Sequence, residues 1–169
     1  MNTYINKSIK NTTLGYIEYD EKYLMLLRDV EKSDGSMGKW LGVGGKFEKD
    51  ETADECFIRE AFEETGIALT KEQLTLSGIV DFKSDKYGIE RMYLYTASVA
   101  SDYFNPDCNE GKLKWIDKKD ILSLNMWEGD HIFLERLLSD KPYFELSLIY
   151  GGSSGDELLE VIDDELILK

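Results

Sequence analysis

The chain has 169 residues, of which 42% are hydrophobic and 12% aromatic, so it can bury one substantial core but is short for two, and we expect a single domain over residues 1–169. Its 34 acidic residues outnumber its 20 Lys and Arg residues, and the net charge of −14 argues against binding to the phosphate backbone of nucleic acid polymers. Such a chain can still accept a small phosphorylated molecule if divalent cations lie between the carboxylates and the phosphates.

Cysteine use and hydropathy bear on the compartment. Cys56 and Cys108 are the two cysteines, and neither belongs to a CxxC pair or to a Cys/His set with the spacing that zinc requires. No apolar run is long enough to cross a bilayer, and the first residues lack the apolar region of a secretion signal. We therefore expect a reduced, cytoplasmic protein without membrane contact.

The first predicted elements are two strands joined in a hairpin. The β-rich runs cover residues 12–18 and 22–28, and the turn-like residues 19–21 separate them. A polar loop, KSDGSMGK, follows, and after it the segment LGVGG, which has no bulky side chain to obstruct a ligand. An amphipathic stretch from about residue 52 to residue 65 predicts a helix.

The second half of the chain alternates strands with a second helix. Further strands are predicted at residues 74–82, 91–99, 144–150 and 158–162, and residues 115–124 carry a short strand leading into a turn. Asp130 precedes apolar residues at helical spacing, which predicts a helix with an acidic N-cap. The last two strands flank GGSSGD and predict a hairpin over about residues 144–169 that adds strands to a sheet edge. Together these elements favour an α/β fold with a mixed sheet covered on both faces.

The first predicted helix carries an unusual group of acidic side chains. At about 100° per residue, three carboxylates fall within an arc of about 100°: Glu60, Glu63 and Glu64. Another side of the helix, expected to face the core, is formed by Ile58, Ala61 and Phe62. Like charges on adjacent turns repel, and a bound dication would reverse that effect. The alternative is a solvated acidic face with no ligand.

At this point the sequence resembles the Nudix hydrolase family, whose box reads G-x5-E-x7-R-E-U-x-E-E-x-G-U with U an aliphatic residue. The box would occupy residues 45–67, and all seven of its fixed positions match: Gly45, Glu51, Arg59, Glu60, Glu63, Glu64 and Gly66. This complete match favours metal binding over the solvated face.

The resemblance implies an α/β/α sandwich with a mixed β-sheet and a divalent cation, Mg²⁺ or Mn²⁺, held at the helix. The implied ligands are the carbonyl of Gly44 and the carboxylates of Glu60, Glu63 and Glu64. Arg59 and Glu51 would form a supporting salt bridge that orients the helix against its loop. Which carboxylate acts as general base is left open by the resemblance.

A finer resemblance is to MutT-like 8-oxo-dGTP diphosphatases and oxidised-purine triphosphatases. The segment KWLGVGG is similar to theirs, Glu110 lies five residues before Trp115 as their additional metal-binding glutamate does, and residues 126–130 resemble their base-binding turn. The resemblance implies that Trp127 stacks on a purine and that Asp130 accepts hydrogen bonds from its Watson–Crick edge.

Two positions depart from the mammalian relative. Leu41 stands in the substrate pocket where that enzyme has Asn, and Gly129 stands where it has a second acidic residue. Four residues also have simpler interpretations: Asp130 as a helix N-cap, Glu110 as an exposed glutamate, Trp127 as a core or surface-packing aromatic, and Trp40 as a core residue.

We therefore expect hydrolysis of a purine nucleoside triphosphate, with 8-oxo-dGTP as a candidate, to the monophosphate and pyrophosphate. One alternative is another substrate of the same family, such as a dinucleoside polyphosphate or a nucleotide sugar; the net charge of −14 argues against an RNA end. A second alternative is a non-catalytic nucleotide-sensing module. The sequence leaves the oligomeric state open.

Overall fold

A computed structural model describes residues 8–29, 35–107, 110–139 and 142–163. In this part of the chain there are two α-helices, α1 (Ala53–Thr65) and α2 (Glu128–Leu138), and two short 3-10 helices, Lys71–Gln73 and Lys118–Ser123. The strands are β1 (Ile9–Tyr19), β2 (Lys22–Leu27), β3 (Trp40–Leu41), β4 (Val43–Lys46), β5 (Leu74–Ser84), β6 (Gly88–Ser98), β7 (Lys112–Asp117), β8 (Phe144–Gly151) and β9 (Glu157–Asp163).

The strands form one mixed sheet in the order β3-β2-β1-β6-β5-β8-β9, with β4 paired to β1 and β7 paired to β2. The β1–β6 and β5–β8 pairs are parallel, and the other pairs are antiparallel. One edge of β1 is shared, because β4 pairs with residues 12–15 and β2 with residues 18–19. The segment that carries the glycines therefore lies in the sheet itself.

The predicted N-terminal hairpin is confirmed. Its turn is made by Asp20 and Glu21, both in the left-handed region with φ of 51° and 58°. Two successive residues of positive φ make the tight turn whose twist matches that of the flanking strands.

The first predicted helix is confirmed, and its ends have clear local causes. The Thr52 hydroxyl accepts from the Glu55 backbone N–H at 3.2 Å, and the Glu55 carboxylate accepts from the Thr52 N–H at 3.0 Å. This capping box satisfies two of the N–H groups that the first turn leaves free. Gly66, at φ of 74°, ends the helix in a left-handed conformation that other residues rarely adopt.

The core face of α1 differs from the expected one at one residue. Its buried side chains are Cys56, Phe57, Ala61 and Thr65. Phe62 is 58% exposed, so the prediction that it faces the core is wrong. The buried face is centred on Phe57 and Ala61, and residue 62 lies about 140° from Phe57 around the helix axis.

The second helix begins earlier than predicted, at Glu128, and Trp127 occupies the N-cap position. The carbonyl of Trp127 accepts from the N–H groups of both Asp130 and His131, so the chain is already helical at Asp130. Interpretation of Asp130 as the N-cap is therefore wrong, because its carboxylate lies within the first turn. An acidic residue is favoured there as well, which is why the sequence pattern misplaced the start by one turn.

The sheet separates two hydrophobic clusters, and each helix covers one face. The adjacent β1 residues Tyr16 and Ile17 belong to different clusters, as expected for side chains that alternate across a strand. Phe57 of α1 packs with Ile17, whereas Phe133 of α2 packs in the cluster of Tyr16. Trp40 is partly buried against this second cluster, as predicted. The architecture is an α/β/α sandwich with a mixed sheet.

The remaining strands agree with the predicted ones, apart from the start of β7. This strand begins at Lys112, before the predicted start, because its pairing with β2 starts at Leu27; residues 118–123, where the strand was predicted to lead into a turn, form a 3-10 helix. The C-terminal hairpin is confirmed for β8 and β9, which lie at the sheet edge; residues 164–169, Cys108 and residues 32–34 of the polar loop lie outside the described residues. No helix in the described part of the chain has the length and hydropathy to cross a membrane.

Candidate functional site

Arg59 links α1 to the loop that precedes it. Its Nε lies 2.6 Å from Glu51 Oε1, and its Nη2 lies 3.1 Å from Glu51 Oε2 and 3.1 Å from the carbonyl oxygen of Lys46. The expected ion pair is thus present, in a two-point geometry that sets orientation as well as distance. Hydrogen bonding to Arg59 lowers the pKa of the Glu51 carboxyl to about 2, so Glu51 is ionised at neutral pH.

The same guanidinium also holds two of the three clustered carboxylates. Arg59 Nη1 donates to Glu60 at 2.9 Å and to Glu63 at 3.2 Å. Glu63 is more exposed, with 55% of its side chain accessible against 16% for Glu60. Burial raises the pKa of Glu60, although the Arg59 contact works in the opposite direction.

Glu64 lies against the glycine segment of β4. The Gly44 backbone N–H donates to Glu64 Oε2 at 3.1 Å. Burial raises the pKa of Glu64 to about 8, and the negative charges of Glu60 and Glu110 add to that rise. Glu64 is therefore a carboxylate in an environment that opposes its own negative charge.

Two glycines of β4 approach these carboxylates, and at Gly44 the neighbouring backbone leaves no room for a side chain. A Cβ atom on Gly44 would lie 2.0 Å from the carbonyl oxygen of Thr13 on β1, and one on Gly45 would lie 2.6 Å from the carboxyl carbon of Glu60. The backbone of β4 can thus lie directly beside the acidic face of α1. Gly44 stands where a backbone ligand was expected, and the contact that the structure gives it is the N–H bond to Glu64.

Glu110 joins this region from the loop before β7, where it pairs with Arg28. The distance from Arg28 Nη1 to Glu110 Oε2 is 3.0 Å, and the Arg28 side chain is only 13% exposed. Sequence reasoning missed Arg28, because its position is visible only from the register in which Leu27 of β2 lies opposite Lys112 of β7. A basic residue directly after an apolar strand was the only local signal.

The oxygen donors of this region fit a hard divalent cation in chemical type. Among the described residues, no three acidic, His or Cys side chains stand close enough together to hold a metal ion as they lie here. The hydrogen bonds explain this, since Glu60 and Glu63 are drawn to Arg59 while Glu64 is held at Gly44. Release of the first two from Arg59 would add their oxygens to those of Glu64, in the all-oxygen environment that Mg²⁺ prefers.

A second polar region lies where β3 and its preceding loop meet the start of α2. The Trp40 N–H donates to the Asn125 carbonyl at 2.9 Å, which ties these segments together. Lys39 Nζ lies 4.6 Å from the centre of the Trp127 ring, a cation–π contact. Leu41 is half-buried in β3, paired with Leu26.

Asp130 is the buried acidic residue of this second region, and it is 7% exposed. Burial raises the pKa of its carboxyl to about 7; the ammonium of Lys39 lowers it and the carboxylate of Glu90 raises it. The fold thus brings Lys39 close to Trp127 and Asp130.

The chain is similar to known proteins over most of its length. The family model described as the NUDIX domain matches residues 11–137. The uncharacterized Nudix hydrolase YvcI of Bacillus subtilis is 31% identical over 147 residues, which cover 84% of this chain and 87% of YvcI. The oxidized purine nucleoside triphosphate hydrolase of Danio rerio is 27% identical over 120 residues, covering 70% and 74%. The crystal structure of a mutator MutT protein from Bacillus halodurans superposes with a TM-score of 0.77 at 25% identity, covering 92% of this chain and 98% of that one.

Proposed function

This chain is a member of the Nudix hydrolase family, enzymes that act on phosphoric anhydrides, and from that premise we propose that it is a Mg²⁺-dependent pyrophosphohydrolase that cleaves a purine nucleoside triphosphate to the monophosphate and pyrophosphate. The family in general uses divalent metal ions on small nucleotide substrates. The cytoplasm, where such nucleotides and reduced thiols are found, is the compartment we propose.

The observation that carries this proposal is the convergence of carboxylates at the glycine segment. Glu60 lies over Gly45, Glu64 bonds to Gly44, and the charge of Glu110 reaches Glu64. A cluster of negative charge in partial burial is unfavourable by itself and becomes favourable when cations are bound.

The chain's own residues have separate tasks in this proposal. Glu60, Glu63, Glu64 and Glu110 would hold Mg²⁺, or Mn²⁺ in its place, together with the Gly44 carbonyl. The bound ion would supply the positive charge that offsets charge on the phosphates during attack by water. Arg59 and Glu51 orient the helix that presents the carboxylates, since the Arg59 guanidinium contacts both the helix and the preceding loop.

The base would bind at the second polar region. Trp127 offers an aromatic surface for stacking, and ionised Asp130 accepts from the adjacent N1–H and N2–H₂ donors of guanine-type bases. Selection of 8-oxo-dGTP over dGTP also requires an acceptor for the additional N7–H. Leu41 has no polar side-chain atom, so a backbone carbonyl would have to accept that bond. The similarity to the zebrafish oxidized purine nucleoside triphosphate hydrolase supports this substrate class.

A nucleotide panel with Mg²⁺ tests the proposal. It contains dGTP, 8-oxo-dGTP, dATP, dCTP, a dinucleoside polyphosphate and a nucleotide sugar, and the products are scored as pyrophosphate, orthophosphate and monophosphate. We expect pyrophosphate and the monophosphate from the purine triphosphates. Orthophosphate alone would refute the cleavage position, and faster cleavage of the dinucleotide or the sugar would refute the substrate class. Lack of turnover with every compound would favour a sensing module.

A further inference from the structure

The base region contains polar groups of two buried residues, Asp130 and Tyr16. Asp130 is 7% exposed. Among the described residues, the hydroxyl of Tyr16, a fully buried residue of β1, has no hydrogen-bond partner, and the charge of Asp130 acts on it. Buried polar groups are nearly always paired in folded proteins, so a polar atom of a ligand would be a favourable partner for the Tyr16 hydroxyl and for Asp130.

A second hydroxyl, that of Tyr150, lies beside Gly129, the residue before Asp130. A methyl group on Gly129 would lie 2.5 Å from the hydroxyl oxygen of Tyr150 and 2.9 Å from Leu148 Cδ1, so the end of the Tyr150 side chain fills the space over Gly129. Tyr150 is half-buried near the end of β8, and its ring centre lies 6.1 Å from that of Phe82. A side chain at position 129 would displace the Tyr150 hydroxyl, so Gly129 leaves room for it.

The surroundings leave that hydroxyl free to donate. Backbone N–H groups in the first turn of a helix have no partner within it, and Trp127 at the N-cap of α2 provides no side-chain acceptor. The Gly129 backbone N–H is directed at the Tyr150 hydroxyl oxygen and lowers the pKa of that group. The O–H proton of Tyr150 is thereby left for another partner. Burial and the Asp130 charge raise the pKa of Tyr150 to about 12, so the proton is retained at neutral pH.

We infer that Tyr150 is a specificity-determining residue whose hydroxyl donates to the O6 atom of a guanine-type base, next to Asp130, which accepts from N1–H and N2–H₂. This inference rests on the proposed hydrolysis of purine triphosphates. Guanine presents one acceptor followed by two donors along its Watson–Crick edge, which matches one hydroxyl donor beside a carboxylate. Adenine presents an amino donor at position 6 and an acceptor at N1. In the same position, its amino group would face the Tyr150 donor and its N1 would face the Asp130 acceptor.

The test compares dGTP, dITP and dATP in the wild type and in Tyr150→Phe, scored as kcat/KM for pyrophosphate release with Mg²⁺. Both dGTP and dITP carry O6, and only dGTP carries the 2-amino group. We expect Tyr150→Phe to lower kcat/KM for dGTP and dITP by the same factor of ~3–10, the value of one neutral hydrogen bond, with little change for dATP. Gly129→Ala, whose methyl displaces the hydroxyl but keeps the ring, should reproduce this selective loss and serves if Tyr150→Phe folds poorly.

Two matched substitutions complete the test. Tyr143→Phe removes an exposed hydroxyl that donates to Glu145 at 2.8 Å just before β8, and it should change none of the three values. Tyr16→Phe removes the other hydroxyl near Asp130; a selective loss there instead of in Tyr150→Phe would overturn the inference, as would an equal loss for all three nucleotides in Tyr150→Phe and Gly129→Ala. A wild type that hydrolyses none of the three would refute the proposed function and this inference with it, whereas the other outcomes leave the proposed function standing.

Discussion

Glu63 and Glu64 are neighbours on α1 with different surroundings, and both are proposed metal ligands. Replacement of either by Gln keeps the shape and removes the charge that a cation requires. We expect kcat to fall by at least ~10²-fold in each variant, within the range for loss of metal or acid–base function. Steady-state pyrophosphate release at saturating Mg²⁺ measures this.

The matched control for these variants is Glu135→Gln, which changes an exposed glutamate of α2 and should leave turnover unchanged. In the metal-free protein, Glu64→Gln should keep or raise the Tm, because burial disfavours the charged form of Glu64 and the Gln oxygen can still accept from the Gly44 N–H. Near-normal turnover of Glu63→Gln and Glu64→Gln would mean that the cluster is a solvated face.

Glu110 interacts with two groups: it forms an ion pair with Arg28, and its charge also acts on Glu64. As one ligand among several, it should affect affinity for the cation more than the maximal rate. We expect Glu110→Gln to lose more activity at limiting Mg²⁺ than at saturating Mg²⁺. The measurement is a Mg²⁺ titration of kcat; an identical fractional loss at both concentrations would indicate that Glu110 serves only to hold Arg28.

Asp130 should make the stability of the ligand-free protein depend on pH. Burial holds the pKa of its carboxyl at about 7 in the fold, whereas the unfolded chain titrates near the ordinary 3.8, so the folded state binds the extra proton between these values. The groups that face it are Lys39, Glu90, Tyr16 and Tyr150.

Because the folded state binds this proton more tightly, the free energy of unfolding of the wild type, relative to Asp130→Asn, should fall as pH rises from about 4 to about 7 and then level off. Urea unfolding of both proteins at intervals of pH in the presence of a chelator measures the difference. A constant difference across this range would show that the folded protein does not hold Asp130 in its protonated form.

At the scale of the elements, one ion pair couples α1 to the loop that follows β4. The Glu51 side chain is 10% exposed and bonds to both Arg59 and the Glu48 backbone N–H. Glu51→Gln should lower the free energy of unfolding by about 1–3 kcal/mol at pH 7, the usual value of hydrogen bonds to charged groups. Catalysis should fall as well, because the carboxylates of α1 are presented through the same arginine.

The stabilisation that Glu51 provides should depend on pH. Arg59 holds the pKa of Glu51 at about 2 against an ordinary 4.5, so the stabilisation is complete above about 4.5 and is lost as pH falls toward 2. Chemical denaturation from pH 7 to pH 2 should therefore show the difference between wild type and variant shrinking in that window. Glu48→Gln is the control: Glu48 is 67% exposed, its carboxylate lies 3.6 Å from Arg59, and its loss should cost less than ~0.5 kcal/mol.

At the scale of the whole molecule, the net charge of −14 opposes compaction and makes the protein sensitive to cations. Raising NaCl from ~20 to ~300 mM should increase the Tm of the metal-free protein by screening. Millimolar Mg²⁺ at constant ionic strength should add a second increase, because binding to the folded state alone stabilises it. Thermal unfolding of Glu63→Gln should retain the first increase and lose most of the second; an equal response to Mg²⁺ in both proteins would attribute it to screening.

The sequence by itself determined the features whose causes lie within a few residues of one another. Thr52 and Glu55 define the start of α1, Gly66 defines its end, and the helical repeat alone puts Glu60, Glu63 and Glu64 on one side. Each of these depends on backbone geometry that repeats along one element, so residue spacing is sufficient to predict it. The β1–β2 hairpin was predictable for the same reason, since its turn joins neighbouring residues.

Only the tertiary structure decided the contacts that depend on strand pairing and on the packing of the helices. Arg28 meets Glu110 across 82 residues because β2 and β7 pair in one register, and the Tyr150 hydroxyl reaches Gly129 because α2 packs across the face of the sheet that contains β8. Exposure of Phe62 likewise reflects which side of α1 the whole core selects. Register and helix rotation are set by the complementarity of the entire buried surface, to which every core residue contributes, so no local spacing encodes them.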